Sequence, residues 1–330
     1  MKKYALCGIG NAIVDVLVKV SDQEFAGLGY EKGTMNLVDA GPQAEVIKKF
    51  QDRTPVMAAG GSVANSVVTC AELGGKTAFT GCFADDKYGQ FYNSEFENYG
   101  ISLTEKPVAN EVTGTCLALI TPDSERTMRT CLAVSAMLDD SHVNAQVIKD
   151  SEWVFVEGYL FANPEKGLKA VKKALQFAKE LGTKIALTFS DTWLIDMCRA
   201  ELEAAVEVAD LIFANDSEAM RYTQLDNKEK AFEKLSTLAG IVVMTAGAEG
   251  AYLSYNGEKH HVPAYKANPV DMTGAGDAFA GAFLYGITNK INPVHAVHGG
   301  CFLASKVISQ VGARLQTGTR GFWDECISKL

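Results

Sequence analysis

Four residues, Gly274-Ala275-Gly276-Asp277, stand immediately before an apolar helical run from Ala278 to Gly286. Residues this small let consecutive backbone N–H groups converge on one ligand, and a helix N-terminus adds about half a positive charge. The chemistry this permits is the binding of an anion such as phosphate, with the Asp277 carboxylate beside it as a proton acceptor. Taken alone, the carboxylate is explained at least as well as a helix cap with a favourable dipole. The choice between the two depends on what else the chain carries.

Three other glycine-bearing segments fail on spacing. Gly8-Ile9-Gly10-Asn11-Ala12-Ile13 opens like a dinucleotide fingerprint, but Ile13 stands where the third glycine belongs and the next residues alternate like a strand. Gly75-Lys76-Thr77 ends like a phosphate-binding loop, yet Cys70 occupies the first glycine position and the segment leaves a helix instead of opening one. Gly60-Gly61-Ser62-Val63-Ala64 approximates a hydrolase nucleophile elbow with Ala64 in place of the last glycine, and no Asp and His follow in order. His260-His261 has no acidic or cysteine partner at metal-like spacing. The eight cysteines contain no Cys-x-x-Cys pair, lie mostly in apolar runs and read as reduced core residues.

The elements that must position Asp277 follow from periodicity. Tyr4 to Ile9 has the length of a buried strand, and Val14 to Val20 alternates as a half-exposed one. Gly41 to Phe50 and Ser62 to Leu73 have helical spacing, the second ending at Gly74-Gly75, and Thr77 to Phe83 is a further strand. Val112 to Ile120 and Thr127 to Leu132 are β-rich around the turn Thr121-Pro122-Asp123-Ser124. With Val14 to Val20 and Met35 to Val38 they make a small sheet apart from the main one.

Beyond residue 150, strands at Trp153 to Glu157, Lys184 to Phe189, Leu211 to Ala214 and Ile241 to Thr245 alternate with helices. One helix opens at Asn163-Pro164-Glu165 and closes at Gly182, and another runs from Thr192 to Ala209. This rhythm means parallel strands crossed by helices. Asn256-Gly257 marks a hairpin. The expectation is a doubly wound, mostly parallel α/β domain (1–12, 41–101 and 133–330) with a small β-sheet lid (13–40 and 102–132).

Composition sets the limits. The chain has 330 residues, 47% apolar and 22% charged, enough for a full core. A net charge of −9 argues against nucleic acid or an anionic membrane as partner, so any phosphate must be attracted by local geometry. The longest stretch free of charge, Thr54 to Ala71, holds Pro55, Gly60, Gly61 and several polar residues and is no membrane span. The N-terminal residues run straight into strand periodicity, and a cytoplasmic location is expected.

The string Asp271-Met272-Thr273-Gly274-Ala275-Gly276-Asp277-Ala278-Phe279-Ala280-Gly281 resembles the second signature of the ribokinase (PfkB) family, departing mainly at Met272, where Thr or Ser is frequent. Gly60-Gly61-Ser62-Val63-Ala64-Asn65 resembles the first signature. Asn215-Asp216-Ser217-Glu218 and Gly10-Asn11-Ala12-Ile13-Val14-Asp15 add two further matches in the expected order. The resemblance implies that Asp277 takes the proton from the attacking hydroxyl, while the amides of Gly274, Ala275 and Gly276 line an anion hole for the transferring phosphoryl group.

It places Asp15, Gly60, Gly61 and Asn65, joined by Asn11, around the acceptor; a carboxylate and an amide suit vicinal diols. It gives ATP to Asn215, Thr245, Gly247, Gly250 and Arg126, and hydrated Mg2+ to Glu218. On its own, Asn-Asp-Ser-Glu reads as a helix cap. Asp271 and Thr273 match positions that bind a monovalent cation such as K+ in some members.

Within the family the chain is most similar to the branch that acts on adenosine, through Lys32-Gly33-Thr34-Met35-Asn36-Leu37-Val38-Asp39, Glu125-Arg126-Thr127-Met128 and Glu157-Gly158-Tyr159-Leu160. The expected activity is phosphorylation of the 5′-hydroxyl of adenosine, with a fructose, ribose or keto-deoxy sugar kinase as the alternative and a non-catalytic sugar-binding relative behind it. Met35, Leu37, Leu132 and Phe161 are candidates to flank a purine. A monomer and a homodimer both fit, depending on whether the outer face of the small sheet is covered.

Overall fold

The computed structural model describes residues 2–330 except Ser124, so the turn expected at residues 121–124 falls in part outside the described residues. The chain begins β1 (Tyr4–Ile9), β2 (Ile13–Lys19), α1 (Asp22–Ala26), β3 (Met35–Leu37), α2 (Ala40–Lys49), β4 (Val56–Gly60), α3 (Ser62–Glu72), β5 (Thr77–Thr80), α4 (Lys87–Asn98), β6 (Ser102–Leu103), β7 (Gly114–Ile120) and β8 (Arg126–Cys131). It continues α5 (Ala145–Lys149), β9 (Ser151–Glu157), α6 (Gly167–Leu181), β10 (Lys184–Thr188), α7 (Thr192–Met197), α8 (Arg199–Val206), β11 (Leu211–Asn215), α9 (Asp216–Thr223) and α10 (Lys228–Leu235). It closes with β12 (Ile241–Thr245), β13 (Ala251–Tyr255), β14 (Glu258–Val262), α11 (Ala275–Thr288), α12 (Pro293–Val307) and α13 (Thr319–Ile327).

The large sheet has the order β14-β13-β12-β11-β10-β9-β1-β5-β6. From β12 to β6 every pairing is parallel, and β13 and β14 add an antiparallel edge. Parallel strands are covered by helices on both faces, which is why β1, β5 and β9 read as apolar runs. After β1 the chain adds β5 and β6 on one side, and later β9 to β12 on the other. The order therefore reverses between β1 and β9, and ligands of such sheets bind outside the carboxyl ends of the strands at that point.

The small sheet has the order β3-β8-β7-β2-β4. Along β2, Val14, Val16 and Val18 are buried and Ile13, Asp15 and Leu17 are partly exposed, the pattern of a strand covered on one face. The buried face belongs to a cluster with Leu117, Leu119, Phe25 of α1 and Val46 of α2. Gln43 of α2 fastens this cover: its Nε2 donates to the carbonyls of Thr115 and Arg129 at 3.0 and 2.7 Å, and its Oε1 accepts from Thr115 at 2.6 Å. The outer face is thus sealed by the chain itself, and the face bearing Asp15 turns to the ends of the large sheet.

Sheet membership departs from the sequence boundaries in three places. Val56–Gly60, placed with the main domain, pairs antiparallel with β2 in the small sheet, and α2 packs on that sheet as well. Ser102–Leu103, placed with the lid, pairs with β5 in the large sheet. The cause is that β4 has no alternation of its own and β6 is two residues long, so only pairing defines them. The helix expected from Thr192 to Ala209 is broken at Cys198 into α7 and α8. Helix α4, which carried no expectation, is capped by Asp86 accepting from Gly89 N at 2.8 Å. Among the described residues no helix is long and apolar enough to cross a membrane.

Candidate active site

Asp277 lies in the first turn of α11. The turn before it requires glycine: Gly274 has φ +78°, and a Cβ there would stand 1.9 Å from Ala313 O. The N-terminus of α3 faces this turn. Ser62 Oγ donates to Asp277 Oδ1 at 2.7 Å and Asn65 Nδ2 donates to Oδ2 at 2.9 Å, so both oxygens of the carboxylate are oriented. Removal from bulk water raises the Asp277 carboxyl to about 6, with the bonds from Asn65 and Ser62 acting against it. The carboxylate still opens into a cavity of about 170 Å³ that is also lined by Ser62, Ser190, Asn215, Glu218, Thr245 and Gly276.

A second cavity, about 470 Å³, shares Thr245, Gly276 and Phe279 with the first and is lined further by Gly247, Gly250 and Ala275. Gly250 has φ +101° and a Cβ there would meet Val262 O at 2.0 Å, so the turn after β12 is closed by backbone approach. The two cavities adjoin at Gly276, with Asp277 lining the smaller one. Helix α11 points its N–H groups at the junction.

Of the residues expected at the acceptor, Asp15 lies near the start of β2, Gly60 ends β4, and Gly61 and Asn65 open α3. Gly61, φ +106°, lets α3 begin against Asn11 O, 2.0 Å from where a Cβ would stand. Gly60 lies beneath Asp15, whose Oδ2 would be 2.9 Å from a Cβ at that position. Burial pushes the Asp15 carboxyl to about 6, while Arg314 and then Arg126 favour its ionised form. Asn65 Oδ1 is buried without a hydrogen-bond partner among the described residues and can accept from a bound hydroxyl.

Asn11 is placed differently from the expectation. Its Nδ2 donates to Glu157 Oε1 at 2.7 Å and its Oδ1 accepts from Ser135 at 2.9 Å, so both ends of the amide are committed to the scaffold. Glu157, at the end of β9, also accepts from Asn11 N at 2.8 Å and Val63 N at 3.0 Å. It spans the switch point between β1 and β9 and holds the start of α3. Burial raises its carboxyl to about 7 against those hydrogen bonds.

Asn215 and Glu218 form a reciprocal capping box on α9: Asn215 Oδ1 accepts from Glu218 N at 2.8 Å, and Glu218 Oε2 accepts from Asn215 N at 3.0 Å. Glu218 nonetheless lines the cavity that holds Asp277, and burial raises its carboxyl to about 7. Among the described residues no group of three or more His, Cys, Asp or Glu side chains is arranged to hold a metal. A single carboxylate beside a phosphate suits Mg2+, which keeps waters and takes phosphate oxygens.

Arg126 of β8 reaches across from the small sheet, but to Asp271 and Thr273 rather than to Asn215 or Glu218. Its Nη1 is 2.7 Å from Asp271 Oδ2 and 3.1 Å from Thr273 Oγ1. Asp271 also accepts from Gly312 N at 2.7 Å and Thr273 N at 3.1 Å. The three residues assigned separately to nucleotide and cation therefore meet as one ion-paired group. Phe161, a purine-flanking candidate, is buried in the core with Leu160 and Leu168.

The fold, the glycine turn and its carboxylate occur together in a family of phosphotransferases with an alcohol acceptor. The pattern described as pfkB family carbohydrate kinase matches residues 34–320, and the chain belongs to that family. Ribokinase of Haemophilus influenzae is 28% identical over 272 residues, covering 80% of this chain and 85% of the relative. The structure of a probable sugar kinase protein from Rhizobium etli matches with 31% identity and a TM-score of 0.89, covering 98% of this chain and 99% of the other. That of adenosine kinase from Sinorhizobium meliloti matches with 30% identity and a TM-score of 0.88 over the same shares. The chain is thus a sugar or nucleoside kinase of this family, with ATP as phosphoryl donor.

Ser62, Glu157 and Ser190 were not singled out as site residues from the sequence. Ser62 stood inside a glycine motif and drew no attention as a donor. Glu157 carried a usable signal: a charge closing an apolar parallel strand points at the ligand end of the sheet. Ser190 adopts φ +69° beside the cavity and donates nothing to local pattern, so no sequence signal could have found it.

Proposed function

We propose that the chain transfers the γ-phosphoryl group of ATP to the 5′-hydroxyl of adenosine. Asp277 receives the hydroxyl proton as the oxygen attacks phosphorus, and Ser62 and Asn65 keep its oxygens aimed. The amides of Gly274, Ala275 and Gly276 face the charge that develops on the phosphoryl oxygens. Glu218 would hold hydrated Mg2+, which would supply charge neutralisation for the phosphates. Asp15, Gly60 and Asn65 hold the sugar hydroxyls.

The observation that carries the nucleoside reading is the face Asp15 stands on. Cross-strand partners share a face, so Asp15 lies with Cys116, Thr130 and Leu37, while Leu17 lies with Val56, Ala118, Met128 and Met35. Met35 is 42% exposed, Leu37 62% and Val56 61%. An apolar surface of this kind next to a diol-binding carboxylate suits a sugar that carries a flat apolar base, whereas a free sugar leaves it wet. The test is ATP consumption with adenosine, inosine, ribose and fructose. Adenosine is expected to be the preferred acceptor, and turnover confined to a free sugar overturns the nucleoside reading.

A further inference from the structure

Residues 308–315, after α12, touch both halves of the site. On the phosphate side, Val270 N and Asp271 N donate to Ile308 O at 2.7 and 3.2 Å, Gly312 N donates to Asp271, and Ala313 O packs on Gly274. On the acceptor side, Arg314, its side chain only 7% exposed, donates from Nη2 to Glu95 Oε1 at 2.7 Å. Glu95 Oε2 in turn accepts from Ala59 N at 2.6 Å, one residue before Gly60. Arg314 Nη1 is buried with no hydrogen-bond partner among the described residues, so its charge is not quenched on that side. Around Asp15, Arg314 and Arg126 favour the carboxylate, Asp277 and Asp271 oppose it, and Cys116 of β7 is its cross-strand neighbour.

We propose that Arg314 is a positioning residue for the acceptor: through Glu95 it fixes the Ala59–Gly60 backbone, and Gly60 in turn lies against Asp15, the carboxylate that receives the acceptor's hydroxyls. Its loop ties that geometry to the turn at Gly274, so the two halves of the site are held by one short segment. One edge of the guanidinium holds Glu95 through Nη2, and a lysine, a single point charge, keeps the attraction without the planar geometry that aims it. The inference rests on the kinase reading above, with Asp15 at the acceptor.

The test compares R314M, R314K, E95Q and D15N with the unaltered enzyme, varying adenosine and ATP separately. R314M is expected to raise KM for adenosine by at least about tenfold, since truncating one partner of a buried hydrogen-bonded charge pair weakens binding by that much or more, and to leave KM for ATP unchanged. R314K recovers part of that loss through its charge, and E95Q reproduces the part that passes through Ala59. Combined with D15N, R314M adds little, because Arg314 acts on the acceptor through the placing of Gly60 against Asp15.

Equal rises in both KM values, or fully additive effects of R314M and D15N, would mean that Arg314 serves the scaffold alone and would overturn the proposal. If R314M does not fold, the same split in R314K decides the matter. If the unaltered enzyme uses a free sugar instead, the comparison is made with that acceptor. An unaltered enzyme that phosphorylates neither overturns the kinase reading itself, and this proposal with it.

Discussion

Asp277 is a carboxylate with two oriented donors and, among the described residues, no cationic partner in hydrogen-bond reach, a design that keeps a base available at neutral pH without pairing it away. Asp277→Asn removes the base and keeps the shape. Turnover is expected to fall at least about 10²-fold while binding of the acceptor, measured by calorimetry, persists. Because the carboxyl is raised to about 6 by burial, kcat/KM for the acceptor should decline as pH falls through that value. Ser62→Ala deletes a hydrogen bond that favours the charged form, so the acid limb of the pH profile moves upward. An unmoved limb would show that another group sets it.

At the scale of elements, α3 and α11 pack side by side, Ser62 and Asn65 against Asp277 and Ser66 and Thr69 against Gly281, each helix started by a glycine whose backbone another segment crowds. Gly274→Ala places a Cβ against Ala313 O and forces a left-handed residue to carry it. The expected cost is on the order of 1–3 kcal/mol from the backbone alone, read as a lower midpoint in denaturant, together with a loss of turnover because the anion turn shifts. Turnover falling without any loss of stability would mean that the turn is softer than its packing indicates. Helix α9 shows a different economy: its capping box stabilises the helix and parks Glu218 at the cavity at the same time.

For the whole molecule, the site gathers Asp15, Glu157, Glu218 and Asp277 into one region of a chain that is already acidic. Burial raises all four, to about 6, 7, 7 and 6. The unfolded chain releases these protons near pH 4, so between about pH 4 and 7 the native state binds more protons than the unfolded state, and stability falls as pH rises. Their contribution is present in full below about pH 4 and is lost through pH 6 to 7. The ligand-free protein should therefore melt higher near pH 5 than near pH 7.5, a difference that a thermal scan in matched buffers measures. A flat profile would mean that these carboxyls stay solvated. The small sheet, sealed outside by α1 and α2, leaves only its Asp15 face to meet ligand.

The sequence by itself determined the alternation of strands and helices, the glycine turn and Asp277, because these follow from short-range periodicity and from residues adjacent in the chain. Motif resemblance added the expectation that Asp15 and Asn65 stand beside the acceptor. What only the tertiary structure decided lies in contacts without local signature. Ser62 and Asn65 reach Asp277 across 215 and 212 residues. Val56–Gly60 belongs to the small sheet because β2 offers it a pairing edge, Asn11 is claimed by Glu157 and Ser135, and Arg126 lies on Asp271. Local spacing fixes which way a side chain faces along its own element, but which partner it finds depends on how distant elements cross. The helix that carries Asp277 was legible for the first reason, and the residues that aim it were hidden for the second.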